Sequence, residues 1–213
     1  MNWVMQNSSF IGQLFLNHTV LIVPPLIVAF ICAVLVGALG AQYPRVQEII
    51  GGACQLLYTI PSLPLLVITP IFLGVSITSP VTVMVALGLY AVALLVRTSI
   101  DAFASVDNTY LQSAETLGYG PWRITFGVRC VLALPVLMAG LRVATMSTVS
   151  LASIGALVGV SSLGTLLTDG FQRSLTVEVV TGIIAIVAMA LLCDAILRFA
   201  TKLLTPWAER LPQ

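Results

Sequence analysis

The sequence predicts an all-α membrane protein of about five transmembrane helices, with a shorter helical segment outside the bilayer. Three observations lead there. Of 213 residues, 59% are hydrophobic and 8% charged, whereas a water-soluble domain carries about 25% charged side chains. The apolar residues gather into five stretches, each at least near the roughly 20 residues that a helix needs to cross hydrocarbon. The few Lys and Arg residues fall almost entirely between those stretches.

The expected spans are 19–41, 46–73, 81–96, 132–160 and 177–199. The second and fourth exceed one simple crossing. Pro61, Pro64 and Pro70 interrupt the second, and each removes a backbone N–H and crowds the preceding turn, so this span is expected to be kinked or broken. Residues 1–18 mix Trp3, Phe10, Ile11, Leu14 and Phe15 with Asn, Gln and Ser. They read as an extracytoplasmic segment, either an amphipathic helix in the outer interface or a frayed extension of the first span. No Lys or Arg precedes Arg45, so the basic start of a cleaved signal peptide is missing and the first stretch is expected to remain as a span. Residues 19–204 then form a single transmembrane domain, and 205–213 a cytoplasmic tail.

Orientation follows from the cations. Arg45, Arg97, Arg123, Arg129, Arg198, Lys202 and Arg210 all fall on one side of a five-span chain, and Arg173 alone on the other. Cytoplasmic loops carry the excess of Lys and Arg. The N-terminus is therefore expected outside and the C-terminus in the cytoplasm.

Several function classes drop out. A formal net charge of +1 offers no basic footprint for nucleic acid. Cys32, Cys54, Cys130 and Cys193 occur singly and His18 is the one histidine, so neither a metal-ligand pattern nor a nucleophile with its base is legible. No Gly-rich loop ending in Gly-Lys-Ser/Thr occurs, so any ATP chemistry belongs to another chain.

The stretch 97–131 is long and polar for so apolar a chain, which marks it as functional. Tyr110, Leu111, Ala114 and Leu117 have helical spacing, Gly118, Gly120 and Pro121 break the run, and Trp122 opens another. Helix, turn and helix are expected there, outside the membrane.

Gln112-Ser113-Ala114, Gly118 and Val128-Arg129-Cys130-Val131 resemble the cytoplasmic signature of permease subunits of type I ATP-binding-cassette importers: Glu-Ala-Ala, three residues, Gly, nine residues, then Ile-x-Leu-Pro. Gln112 stands where the family has its acid, and Val131 where it has its proline. Pro121-Trp122 and Leu132 to Val136 fit the branch that handles osmoprotectants such as glycine betaine, choline and carnitine. Tyr58 to Ser62, Val106-Asp107, Ala139 to Thr145, Gly155 to Gly159, Ser162 to Gly164 and Asp169-Gly170 extend the similarity over 58–173. Methionine-importer permeases share the skeleton and the span count.

The resemblance implies a MetI-like fold in the bacterial inner membrane, with a coupling helix region at 108–130. Gln112, Ser113, Ala114, Gly118, Pro121, Trp122 and Arg123 would meet a cytoplasmic ATPase dimer, which holds ATP and Mg. No cofactor is expected on this chain. The further partners implied are a second permease copy or paralogue and an extracytoplasmic solute-binding protein, and any aromatic cage for the cation is expected on the latter.

Tyr58, Pro61, Ser62, Tyr90, Thr145 and Thr148 are candidates to line a translocation path, although small and hydroxyl residues also serve simple helix packing. Arg142, about 15 Å into the fourth span at 1.5 Å per residue, is a costly charge in hydrocarbon. It reads either as a gate or interface contact or as a snorkelling structural arginine. Arg97 with Asp101, Asp169 with Arg173 and Asp194 with Arg198 are spaced to pair along one helix face. The rival reading is an ion-coupled secondary transporter, which calls for unpaired intramembrane acids or inverted repeats.

Overall fold

A computed structural model describes residues 2–208; the remainder of the expected tail, with Arg210, lies outside them. In chain order the helices are α1 (Asn2–Gln6), α2 (Ser8–Gln42), α3 (Pro44–Thr59), α4 (Ser62–Leu73), α5 (Pro80–Ala104), α6 (Asn108–Thr116), α7 (Pro121–Ile124), α8 (Cys130–Ala152), α9 (Thr165–Gln172) and α10 (Thr176–Leu204). A π-helical turn, Thr125–Arg129, joins α7 to α8, and a 3-10 turn, Ser153–Val158, follows α8.

Among the described residues four helices are long and apolar enough to cross a membrane, and a bent pair makes five if it is one span. The four are α2, α5, α8 (with the turns that flank it) and α10, and α3 with α4 forms the pair, bent by 110°. That bent pair must traverse the layer, because α2 and α5 lie side by side and run the same way. Pro25 of α2 meets Gly88 of α5, and Gly37 meets Ser99 and Phe103 further along both helices. The segment between them therefore has to return from the Gln42 end to the Pro80 end. α8 runs opposite to α5, with Gly140 beside Thr98 and Gly155 beside Val83.

Close approach at small residues holds this core together. A Cβ at Gly140 would collide with the Thr98 side chain, so the α8 backbone takes the Thr98 side chain of α5 directly, the close approach that small residues allow between membrane helices. α5 is the central element: Val83, Ala86, Leu87, Tyr90, Val96, Ser99, Ala102 and Phe103 are all buried. Its start is fixed locally, because Ser79 Oγ accepts from Val81 N–H at 3.3 Å and Pro80 occupies the first helical position, where no N–H is needed.

The expected boundaries change at four places. The helix that carries the first span starts at Ser8, not at residue 19, so most of 1–18 is continuous with it as the opening turns of α2. Burial is the reason: Leu14 and His18 belong to the core. The third span continues to Ala104, which puts Arg97 and Asp101 on α5, where they pair at 3.2 Å, and not in a loop. The fourth ends at Ala152 and turns over as a 3-10 segment that packs against α9. The fifth runs to Leu204. The break expected at Pro61 is present and sharp.

Candidate functional site

The sequence-selected residues fall into two sites and one structural ion pair. In the first site, α6 begins at Asp107, whose Oδ1 accepts from the Thr109 N–H and hydroxyl, both at 2.8 Å. The backbone N–H first and the hydroxyl second hold this carboxyl below the ordinary carboxylate range. α6 buries Leu111 and Ala114 and turns Gln112, Ser113 and Glu115 to water.

Its end is closed by the backbone. Tyr119 N–H reaches Ala114 O at 3.1 Å and Gly118 N–H reaches Glu115 O at 2.8 Å, the paired bonds of a Schellman stop, which needs a left-handed residue after the cap. Gly118 supplies it with φ +82°. Pro121 then opens α7. Arg123 stacks its guanidinium 4.2 Å from the centre of the Tyr119 ring, and Trp122 stacks on Phe126 with centroids 5.9 Å apart.

Large apolar groups remain exposed on this segment: Leu117 at 74%, Trp122 at 47%, Phe126 at 46% and Tyr110 at 45%. Gln42, at the end of α2, donates to Pro121 O at 3.0 Å and to Thr125 Oγ1 at 2.6 Å, and Arg129 reaches Ala41 O. The turn after α6 is thus tied directly to the first span and to the π-helical start of α8. A cleft of about 460 Å³ lies between them, lined in part by Gln42, Glu115, Tyr119 and Arg129. Nothing in the sequence marked Gln42.

The second site is the break between α3 and α4. Ile60 and Pro61 are both extended, with ψ 126° and 147°, and the helix ladder stops there. Pro64 has no N–H to offer the Ile60 carbonyl; the Tyr90 hydroxyl donates to it instead. Tyr58 meets Tyr90 edge to face, with centroids 6.1 Å apart and planes at 82°. Tyr58, Pro61, Ser62 and Tyr90 are therefore one constellation. Tyr90 is buried at 8% and Tyr58 is 49% exposed.

Thr145, Thr148 and Arg142 do not join it. Thr145 and Thr148 are buried and return their hydroxyls to the Leu141 and Ala144 carbonyls of their own helix, so packing accounts for them. Arg142 donates from Nε to Asp194 Oδ1 at 2.7 Å, and Arg198 donates to the other oxygen at 2.6 Å. The Asp194–Arg198 pair read from its spacing is real, but Asp194 also ties α10 to α8.

Two further buried groups were not singled out by sequence. His18 is fully buried; its Nδ1 accepts from Leu163 N–H at 3.3 Å, which leaves Nε2 to donate to Val149 O at 3.1 Å. One imidazole thus pins α2 to α8 and to the turn before α9. Glu178, in the first turn of α10, is buried, and its Oε2 has no hydrogen-bond partner among the described residues. It is the unpaired carboxyl that the charge spacing did not reveal.

Apolar helices long enough to span, a helix stop tied to two of them and a proline break braced from a third define an all-helical membrane protein. Residues 33–210 match the family described as binding-protein-dependent transport system inner membrane component, and the chain belongs to that family. It is 28% identical over 202 residues to the glycine betaine/carnitine/choline transport system permease protein OpuCD of Bacillus subtilis, covering 94% of this chain and 87% of the relative. It is 27% identical to the choline transport system permease protein OpuBD of the same organism, covering 97% and 90%. In structure it resembles a chain of the inward-facing MetNI methionine ABC transporter, with TM-score 0.77 over 89% of this chain and 93% of that one at 18% identity, a likeness of fold.

Proposed function

We propose that this chain is the translocating permease subunit of an ABC importer for quaternary-amine osmoprotectants, with its N-terminus outside and its C-terminus in the cytoplasm. The observation that carries the reading is the exposed apolar surface of Tyr110, Leu117, Trp122 and Phe126 on a rigid helix stop at the signature positions. Large apolar side chains left exposed on one short segment, two of them stacked on each other, call for a protein partner. The partner is a separate cytoplasmic ATPase dimer, which binds ATP and Mg; this chain carries no cofactor and performs no hydrolysis. ATP favours the closed ATPase dimer, and that differential affinity is what moves the permease between outward and inward states. Gln42 and the π-helical turn hand the displacement to α2 and α8.

The break at Ile60–Pro61 supports the rest. Non-helical backbone at membrane depth is tolerated only where protein buries it or where it lines an aqueous cavity. Its exposed side therefore faces the path, which a second permease copy or paralogue completes, with solute delivered by an external binding protein. The solute class rests on the names of the relatives OpuCD and OpuBD, whose solutes all carry a trimethylammonium group.

Two measurements test this. Purification of the chain from membranes should bring an ABC ATPase with it, and a permease isolated without one under mild detergent would contradict the reading. Labelled glycine betaine or choline should accumulate in cells dependent on the system, with no competition from methionine; strong competition would move the solute to amino acids. For orientation, a Ser76→Cys variant should react with an impermeant thiol reagent from outside and a variant at the exposed Thr116, Thr116→Cys, only from the cytoplasm.

A further inference from the structure

We propose that the α3–α4 break is itself a transient receiving site for the trimethylammonium head of the solute, formed by the Tyr58 ring and the carbonyl end of α3. This rests on the quaternary-amine reading above and adds what that reading lacks, a place on the permease where the cation is recognised.

The chemistry starts with two prolines. In an unbroken helix the N–H at position 61 would serve the Leu57 carbonyl and that at 64 the Ile60 carbonyl; Pro61 and Pro64 have neither. Leu57 O is taken by the Ile60 N–H at 3.2 Å, Leu56 O by the Thr59 hydroxyl at 2.6 Å, and Ile60 O by Tyr90. The carbonyls of Tyr58 and Thr59 have no helical successor, because the chain leaves the ladder at Ile60. Both residues are exposed. A helix C-terminus carries a partial negative charge, and α3 has no basic residue in its last turn to offset it.

No Asp, Glu, Lys or Arg occurs between Glu48 and Arg97. The break and the part of α5 that braces it therefore offer a cation dipoles and ring faces and no formal charge of either sign. Tyr58, in the last turn of α3, is held edge to face by Tyr90, and the bond from Tyr90 to Ile60 fixes the pair to the break. Tyr90 is thus a positioning residue, and Tyr58, half exposed, is the ring that the path can reach. Along α5, Tyr90 is about 15 Å from Pro80 and about 21 Å from Ala104 at 1.5 Å per residue, so the site is near the middle of the span, away from the headgroups. An aromatic face with backbone dipoles suits a bulky cation that cannot donate hydrogen bonds. The lack of an acid keeps the hold weak enough for the solute to leave, as conduction requires.

The test uses the whole importer, with ATPase and binding protein, in liposomes, and follows ATP-driven uptake of labelled choline and glycine betaine. Tyr58→Phe should keep uptake within about twofold, because the ring face is retained. Tyr58→Leu should lower it about threefold to tenfold, the range of one cation–π contact, while the binding protein keeps its solute affinity. Phenylalanines with one to three ring fluorines at position 58 keep the shape and drain the ring face of charge, so uptake should fall stepwise with each fluorine. That series also carries the test if Tyr58→Leu fails to assemble. A flat fluorine series, or Tyr58→Leu uptake equal to wild type, would overturn the site while leaving the importer reading intact. Wild-type liposomes that take up no quaternary amine would overturn the solute assignment and, with it, the occupant of this site.

Discussion

The chain interrupts its helices sharply in two places, and it resolves them by different means. After α6 the break is closed by neighbours in sequence: Asp107 caps the start, Gly118 turns the end, and Pro121 opens the next helix. Between α3 and α4 the break is closed from another helix, by Tyr90, thirty positions along the chain from the Ile60 carbonyl it serves. Water explains the difference. In the cytoplasm, backbone groups left over at a helix end are solvated at little cost, so local caps suffice. In hydrocarbon each orphan costs several kcal/mol, so the break must recruit a donor across a helix interface or face an aqueous path. A membrane break therefore depends on tertiary packing in a way that a cytoplasmic one does not.

If that distinction holds, the largest stability losses should come from cross-helix donors. His18→Ala removes one side chain, strands the buried Leu163 N–H and leaves Val149 O with only the long bond from Ser153 Oγ at 3.5 Å. At about 1–3 kcal/mol for each, the loss should reach roughly 3 kcal/mol, read as a melting temperature lower by at least about 6 °C in detergent. Tyr90→Phe strands only the Ile60 carbonyl and should cost about 1–2 kcal/mol. It should nonetheless cut uptake more than it cuts stability, because Tyr58 loses its brace. An unchanged uptake would detach Tyr90 from the path.

Gly118→Val tests the cytoplasmic break. A left-handed φ costs a β-branched residue about 1–2 kcal/mol, spent within the α6–α7 turn, so the spans should insert normally while transport falls. Gly118→Asn, which tolerates that conformation, should keep most of it. Equal uptake by wild type and Gly118→Val at equal expression would remove this segment from the coupling route. Asp107 should give the smallest effect, and one visible only in acid. Its folded carboxyl ionises below its unfolded value, so the cap is fully present above about pH 4 and is lost as pH falls through the depressed value. Transport between about pH 6 and 8 should therefore be indifferent to this group; a fall in that window that Asp107→Asn abolishes would contradict it.

The same contrast governs what the sequence could reveal. Span number, the proline break and the α6 stop are written in local pattern, in hydropathy and in Gly and Pro, and all three were legible. Boundaries were short at Ser8 and Ala104 because polar side chains such as His18, Asp101 and Asn17 weigh against a span in any hydropathy window, whatever buries or pairs them. What stayed hidden was pairing across helices. Arg142 offered no hint of Asp194, whose spacing pointed to Arg198. Thr145 and Thr148 looked free until their own helix took up both hydroxyls. Tyr58 and Tyr90 were both visible as aromatics, but only the fold brings them together at the Ile60 carbonyl.

If the membrane break faces an aqueous solute path, a thiol placed there is open to water-borne reagents. In a variant lacking the four native cysteines, Ser62→Cys should react with a small hydrophilic thiosulfonate in the assembled importer, and solute with ATP should change the rate. Ile184→Cys, exposed on the middle of α10, should stay unreactive in the bilayer. If Ser62→Cys proves as inert as Ile184→Cys in every nucleotide state, the break faces lipid or a sealed interface, and the path runs elsewhere.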